Sequence, residues 1–167
     1  GNPSSTHSYG RSSKSLIESS RKEIADILNV KSSEIIFTSG GTEGDNMIIR
    51  NCVNNLGVSR IITTKIEHHA VTHTIDDLFS SNNIKVSYVK VLKSGHVDLN
   101  DLEEILKKSD EKSLVSLMHI NNEIGNITDI QLVSEICQKY NALFHSDTVQ
   151  SVGPVSYTHL RAHETRP

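Results

Sequence analysis

The sequence predicts an α/β protein with a mostly parallel sheet and helices on both of its faces. Short β-branched runs alternate with amphipathic helical segments along most of the 167 residues. Helical connections of this length join parallel strands in βαβ units. The composition, 35% hydrophobic and 22% charged with only 3 prolines, is that of an ordinary folded domain. A chain of this length has room for one such domain.

The elements follow from the chain in order. A Gly/Ser/Pro-rich opening predicts a loop, and apolar residues at helical spacing then predict a helix over 14–28. A β-branched and aromatic run predicts a strand over 34–38, and a glycine turn leads from it into a helix over 42–56. The same patterns predict further strands over 60–64, 85–91, 113–118 and 142–146, and further helices over 71–80, 102–108 and 130–140.

Charge and apolar pattern exclude several classes of partner. The net charge is −3 and the charges are interspersed, so we expect no nucleic-acid face and no polybasic membrane patch. No apolar run approaches the roughly 20 residues that span a bilayer, and a cytoplasmic location is expected. Cys52 and Cys137 lie far apart in helical patterns and are interpreted as buried thiols.

The loop after the strand over 34–38 suits a phosphate group. Its sequence, Ser-Gly-Gly-Thr, runs into a helix whose first N–H groups and dipole favour an anion, assisted by the Thr42 hydroxyl. Gly40 and Gly41 allow a ligand to approach the backbone closely. An ordinary helix cap explains the same residues equally well.

Three later strand ends also carry polar side chains, and ligands of open α/β sheets bind at such ends. His68 suits ring stacking and proton transfer, although it could simply begin a helix. His69 and His73 would share a helix face, but no third ligand stands at a metal-site spacing, so we expect no metal. Asp147 ends a buried strand, where a carboxylate needs a partner such as a protonated pyridine nitrogen, unless it caps the next turn.

Four motifs in register carry a family resemblance. FTSGGTEGDN at 37–46, IEHHAV at 66–71, HINNEIG at 119–125 and HSDTVQSVG at 145–153 together resemble the cysteine desulfurases of the class V aminotransferase superfamily, whose fold is that of fold-type I pyridoxal 5′-phosphate enzymes. The resemblance covers residues 1–154 and identifies them as a partial cofactor-binding large domain at the N-terminal side of such an enzyme. Gly1 stands where a methionine would begin a complete chain, so we expect the start to be cut.

The resemblance also implies roles for individual residues. Gly41 and Thr42 match the phosphate-binding pair, and His68 matches the catalytic histidine stacked on the cofactor ring. Asn122 is similar to the asparagine near the ring hydroxyl and the substrate. Asp147 matches the partner of the pyridinium nitrogen, and Gln150 matches the glutamine that hydrogen-bonds the ring oxygen.

The resemblance implies an activity that this chain cannot complete alone. Enzymes of this family convert L-cysteine to L-alanine and pass the sulfur to one of their own cysteines as a persulfide. The sulfur then goes to acceptor proteins of iron–sulfur cluster or thiolation pathways. The enzymes act as homodimers. Their cofactor is held on a lysine beyond the glutamine, whereas no lysine follows Lys139 here, and Cys52 and Cys137 do not match their catalytic cysteine. We therefore expect no turnover from these 167 residues.

Residues 155–167 differ from the rest of the chain. Their sequence, VSYTHLRAHETRP, has neither helical nor strand period and resembles a translated sequencing adaptor, so we interpret it as a non-native tail. Two alternatives for the function stay open. One is another member of the superfamily, such as a selenocysteine lyase or an aminotransferase, and the other is a non-enzymatic domain that binds a nucleotide or another phosphate.

Overall fold

The computed structural model describes residues 1–82 and 84–153, which include two compact units. The first, residues 1–37, contains helix α1 (Ser8–Leu28) and a short 3₁₀ helix (Ser32–Glu34). Helix α1 begins six residues before the predicted position because His7 caps it, its Nδ1 accepting a hydrogen bond from Gly10 N at 3.2 Å. The predicted opening loop is correspondingly shorter.

The second unit, from Thr38 onward, contains the sheet. Within the described residues, its four strands lie in the order β2-β1-β3-β4, and every neighbouring pair is parallel. The prediction of a mostly parallel α/β sheet is therefore confirmed. In chain order the elements are α2 (Gly41–Asn54), β1 (Arg60–Thr63), α3 (His69–Asn82), β2 (Lys85–Tyr88), α4 (Leu99–Lys107), β3 (Ser113–Ser116), α5 (Ile130–Lys139) and β4 (Leu143–His145).

Helices cover both faces of this sheet, as predicted. Successive strand residues point to opposite faces, so Ile61 packs with apolar side chains of α2 and α3 while Ile62 packs with those of α4 and α5. Both isoleucines are fully buried. A strand that is apolar on both sides is characteristic of a parallel sheet between two helical layers. The sheet thereby holds its strand ends, and the loops that follow them, at fixed positions.

The strand predicted over 34–38 does not form. Residues 35–38 follow the 3₁₀ helix without regular structure, and no strand of the described residues pairs with them. Arg21 donates a hydrogen bond to Ile35 O and lies 4.9 Å from the centre of the Phe37 ring. β-branched and aromatic residues favour a strand only where a neighbouring strand completes the ladder, and that neighbour is missing from the described part of the chain.

Two further predictions concern the C-terminal tail and membrane-spanning helices. The tail predicted at 155–167 lies outside the described residues. Among the helices of residues 1–82 and 84–153, none combines the length and hydropathy that crossing a bilayer requires.

Candidate functional site

A cavity of about 180 Å³ opens where the carboxyl ends of β1, β3 and β4 meet the first turn of α2. All six residues that the sequence assigned to a cofactor site line this cavity, together with four others. The lining residues are Gly41, Thr42, Asp45, His68, Met118, Ile120, Asn122, Asp147, Val149 and Gln150. Four separate chain segments thus converge on one space, at the sheet edge where open α/β folds bind ligands.

The first turn of α2 presents backbone donors to this cavity. Gly40 is the N-cap and offers no side chain to cap the helix, so the positive end of the helix dipole is directed at the space beside Gly41 and Thr42. A Cβ atom at Gly41 would lie 2.7 Å from Val149 Cγ2, which is too close for the present packing. Glycine therefore lets the helix start approach the loop after β4.

His68 begins a helix, as one of its two interpretations has it, and also lies on the cavity wall. It lies directly before α3, and its Nδ1 accepts a hydrogen bond from Ala70 N at 3.2 Å, while its carbonyl accepts from Val71 N and Thr72 N. The residue thus begins the helix and lines the cavity at once. Because Nδ1 is an acceptor, a neutral ring carries its proton on Nε2.

Asp147 caps a turn, as one of its two interpretations has it, and also lines the cavity. Its side chain is buried, and Oδ1 accepts a hydrogen bond from Val149 N at 3.0 Å, which caps the turn after β4. Within residues 1–82 and 84–153, no hydrogen bond to Oδ2 is present. One carboxylate oxygen shapes the loop, and the residue also lines the cavity.

Asn122 and Gln150 are both exposed residues on the cavity wall. The neighbouring Asn121 is buried instead and holds the loop together. Its Nδ2 donates to Ile66 O at 2.8 Å, and its Oδ1 accepts from Glu123 N at 2.9 Å and Ile124 N at 3.0 Å. Of the two adjacent asparagines, the second is the one presented to the cavity.

Two buried carboxyl groups at this site were missed by the sequence prediction. Asp45 is 6% exposed and lines the cavity, and Glu67 is 8% exposed and precedes His68. Asp45 lies one helical turn after Gly41, so helical periodicity could have placed it on the same face. Glu67 stands in a loop, where periodicity carries no such information.

Burial dominates the electrostatics of Glu67. Removal from water raises the pKa of its carboxyl group to about 7, and the negative charges of Asp147 and Asp45 act in the same direction. Hydrogen bonds from Thr64 and Met118 oppose the increase in pKa without cancelling it. Near neutral pH, a substantial fraction of Glu67 is therefore protonated beside the cavity.

Asp45, His145 and Ser116 form a buried chain behind the cavity. His145 Nε2 lies 3.4 Å from Asp45 Oδ1, and His145 Nδ1 lies 2.9 Å from Ser116 Oγ. The residue types are those of a hydrolytic triad, but Ser116 is only 1% exposed, so no substrate could reach its hydroxyl. The chain instead satisfies three polar groups between α2, β3 and β4.

The remaining candidates lie apart from this chemistry. The rings of His69 and His73 stack with their centres 4.9 Å apart, and in the described part of the chain no third potential ligand joins them in a metal-binding group. Cys52 and Cys137 are buried free thiols, as predicted. Burial raises the pKa of the Cys137 thiol to about 12, which leaves it unreactive at neutral pH.

Comparison with known proteins supports the resemblance. The sequence profile of the family "Aminotransferase class-V" matches residues 1–158. The chain is 44% identical over 160 residues to the cysteine desulfurase IscS of Dictyoglomus turgidum, covering 93% of this chain and 39% of the relative. The chain thus spans about two fifths of the length of that curated relative.

Solved structures agree with the fold. A NifS-like protein superposes with a TM-score of 0.83 at 40% identity, covering 90% of this chain and 42% of the other. A structure described as SspA in complex with cysteine superposes with a TM-score of 0.83 at 31% identity, over 90% of this chain and 43% of the other. Enzymes of the matched family depend on pyridoxal phosphate. With its profile match, sequence identity and fold in agreement, the chain belongs to the class V aminotransferase family.

Proposed function

We propose that this chain is part of a pyridoxal phosphate-dependent cysteine desulfurase and that its cavity holds the cofactor. The observation that carries the proposal is the convergence of the six sequence-assigned residues on one cavity. Similarity to curated desulfurases and to the SspA–cysteine complex supports L-cysteine as the substrate of the whole protein. Sulfur acceptors, a homodimeric state and a cytoplasmic location remain predictions from the sequence.

The chemistry of the donor set fits the cofactor at its phosphate end. The uncapped start of α2 offers N–H groups and a helix dipole, and Thr42 adds a hydroxyl group. A side chain at Gly41 would meet Val149, so the absence of one keeps space for an anion. Gly41 and Thr42 would therefore bind the phosphate.

The ring end fits equally well. A buried carboxylate suits a cationic ring nitrogen, and Asp147 provides one whose Oδ2 accepts no hydrogen bond from the residues that the structure describes. His68 would stack on the ring and hold a proton at Nε2. Gln150 would donate a hydrogen bond to the ring oxygen, and Asn122 would lie close to that oxygen and to the substrate. When bound, pyridoxal phosphate supplies an electron sink for a carbanion at the substrate's α-carbon. Asp147 would sustain that role by keeping the ring nitrogen protonated.

Binding of pyridoxine 5′-phosphate tests the assignment of Asp147. This analogue lacks the aldehyde that would react with surface lysines, so its affinity contains no contribution from covalent reaction with them. Asp147→Asn retains an acceptor for Val149 N but removes the charge, and we expect it to weaken binding by about tenfold, which is typical of one charged hydrogen bond. Asp147→Ala should abolish the binding. Isothermal titration calorimetry measures both.

The matched control is Asp76→Asn, which changes an exposed carboxylate on α3 and should leave the affinity unchanged. Equal binding by the parent chain and both Asp147 variants would show that the ring does not lie where we place it. Tight binding of a nucleotide with no response to the pyridoxine compound would instead favour the phosphate-binding domain. Discrimination between L-cysteine and L-selenocysteine by the full-length enzyme would separate a desulfurase from a selenocysteine lyase.

A further inference from the structure

One buried carboxyl group beside the cavity has no part in the proposed cofactor contacts. Glu67 is 8% exposed and immediately precedes His68, which lines the cavity. Burial of a carboxyl group is unfavourable unless its oxygens are hydrogen-bonded. The partners of Glu67 therefore indicate what the residue does.

Glu67 accepts hydrogen bonds from two different loops. Thr64 Oγ1, directly after β1, donates to Oε1 at 2.8 Å, and Met118 N, two residues after β3, donates to Oε2 at 2.9 Å. Both bonds are buried. A single side chain thus links loop 64–68, which ends in His68, to loop 117–122, which ends in Asn122.

Asn121 links the same two loops in the opposite direction. Its Nδ2 donates to Ile66 O at 2.8 Å. Each of these two buried linkers is the chain neighbour of a cavity-lining residue, since Glu67 precedes His68 and Asn121 precedes Asn122. The positions of both cavity residues consequently depend on how firmly the loops are joined.

The link does not require a charge on Glu67. A protonated carboxyl group can still accept from Met118 N, while its O–H donates to Thr64 Oγ1, because a hydroxyl group serves as donor or acceptor. The carboxyl groups of Asp45 and Asp147 also disfavour a third negative charge here. A glutamine would reproduce both bonds of the neutral form, with its amide N–H donating to Thr64.

We propose that Glu67 is a positioning residue that clamps loop 64–68 to loop 117–122. It does so through the length of its side chain rather than through its charge. The clamp thereby fixes the positions of His68 and Asn122 on the cavity wall. That these two residues serve a cofactor rests on the proposed function. The clamp itself does not, because it is defined by hydrogen bonds within the chain.

Two conservative substitutions of Glu67 separate the effect of its side-chain length from the effect of its charge. In the full 167-residue chain, Glu67→Gln keeps the reach and removes the charge, whereas Glu67→Asp keeps the charge and shortens the side chain by one methylene. Amide hydrogen exchange over 64–68 and 117–122 measures the clamp. The affinity for pyridoxine 5′-phosphate measures its effect on the cavity. The matched controls are Glu104→Gln and Glu104→Asp, at an exposed position on α4.

We expect Glu67→Gln to keep exchange at Met118 N within about twofold of the parent chain. Glu67→Asp should accelerate it by about fivefold or more, as the loss of one buried hydrogen bond implies. Thr64→Val, which removes one donor at similar volume, should act in the same direction as Glu67→Asp and provides a second test. The affinity for pyridoxine 5′-phosphate should change in parallel with the rate of amide exchange. We expect it to be retained in Glu67→Gln and weakened about fivefold in Glu67→Asp.

Unchanged exchange in both Glu67→Asp and Thr64→Val would overturn the clamp, as would equal acceleration by Glu67→Gln and Glu67→Asp. If exchange responds as expected but neither the parent chain nor any variant binds the pyridoxine compound, the clamp stands and the proposed function fails. The two failures are thus distinguishable in one set of samples.

Discussion

At the scale of single residues, the candidate site is built from side chains that have two tasks. Asp147 caps a turn with one carboxylate oxygen and lines the cavity, and His68 begins α3 while lining the same space. In the sequence, a cap or helix start and a position at a binding site are alternative interpretations of these residues. In the structure, one residue can occupy both positions. A substitution at such a residue changes both the local fold and the cavity.

Gly41 offers a substitution that affects the cavity more than the fold. Gly41→Ala would place a Cβ 2.7 Å from Val149 Cγ2, at the tip of an exposed side chain that can rotate away. We expect the free energy of unfolding to change by no more than about 1 kcal/mol, since better helix propensity offsets the crowding. The affinity for pyridoxine 5′-phosphate should fall by about tenfold or more, as one misplaced phosphate contact implies.

The matched control is Gly44→Ala in the same helix, where the added Cβ would lie at an ordinary 3.8 Å from Thr38 Oγ1. That variant should bind as the parent chain does. Calorimetric titration and urea denaturation of both variants measure the two quantities. Equal affinity of Gly41→Ala and the parent chain would contradict a phosphate site at the start of α2.

At the scale of elements, the sequence predicts correctly wherever local pattern and tertiary packing agree. The strand predicted over 60–64 is observed as Arg60–Thr63 and the helix predicted over 130–140 as Ile130–Lys139. Each is long or apolar enough for its own pattern to decide its structure. Strand ends indicated where to look for polar side chains, and the family resemblance supplied the roles of Asn122 and Gln150, so that six cavity residues could be assigned in advance.

The failures have different physical causes. The segment over 34–38 has strand composition but lacks a neighbouring strand in the described residues, so its own propensity is insufficient. Helix α4 begins at Leu99, three residues before the predicted start, because Asp98 caps it by accepting from Asn100 N and Asp101 N. Glu67 was not predicted because its hydrogen-bond partner Met118 is 51 residues away in the chain. Contacts of this range leave no local signal.

At the scale of the whole molecule, the site places three carboxyl groups close together. Burial and the charges of Asp147 and Asp45 raise the pKa of Glu67 to about 7, from an ordinary value of 4.5. The folded chain therefore binds a proton more tightly at Glu67 than the unfolded chain does. This contribution to stability is fully present below about pH 4.5 and is lost as the pH rises towards 7.

Glu67→Gln removes this pH-dependent contribution. The free energy of unfolding of the parent chain, relative to that of Glu67→Gln, should fall between pH 5 and pH 8 by an amount on the order of 2 kcal/mol. Urea denaturation of both chains at the two pH values measures the difference. A difference that is independent of pH would show that Glu67 ionises in the folded chain as it does in water.

We propose that one cavity, at the carboxyl ends of the strands, holds pyridoxal phosphate. Two-dimensional NMR of the labelled chain, titrated with pyridoxine 5′-phosphate, tests it most directly. We predict that the amide shift changes concentrate at Gly41, Thr42, His68, Asn122 and the turn after Asp147. No saturable change, or changes centred on the surface pocket lined by Arg60, Lys85, Lys108 and Glu111, would contradict it.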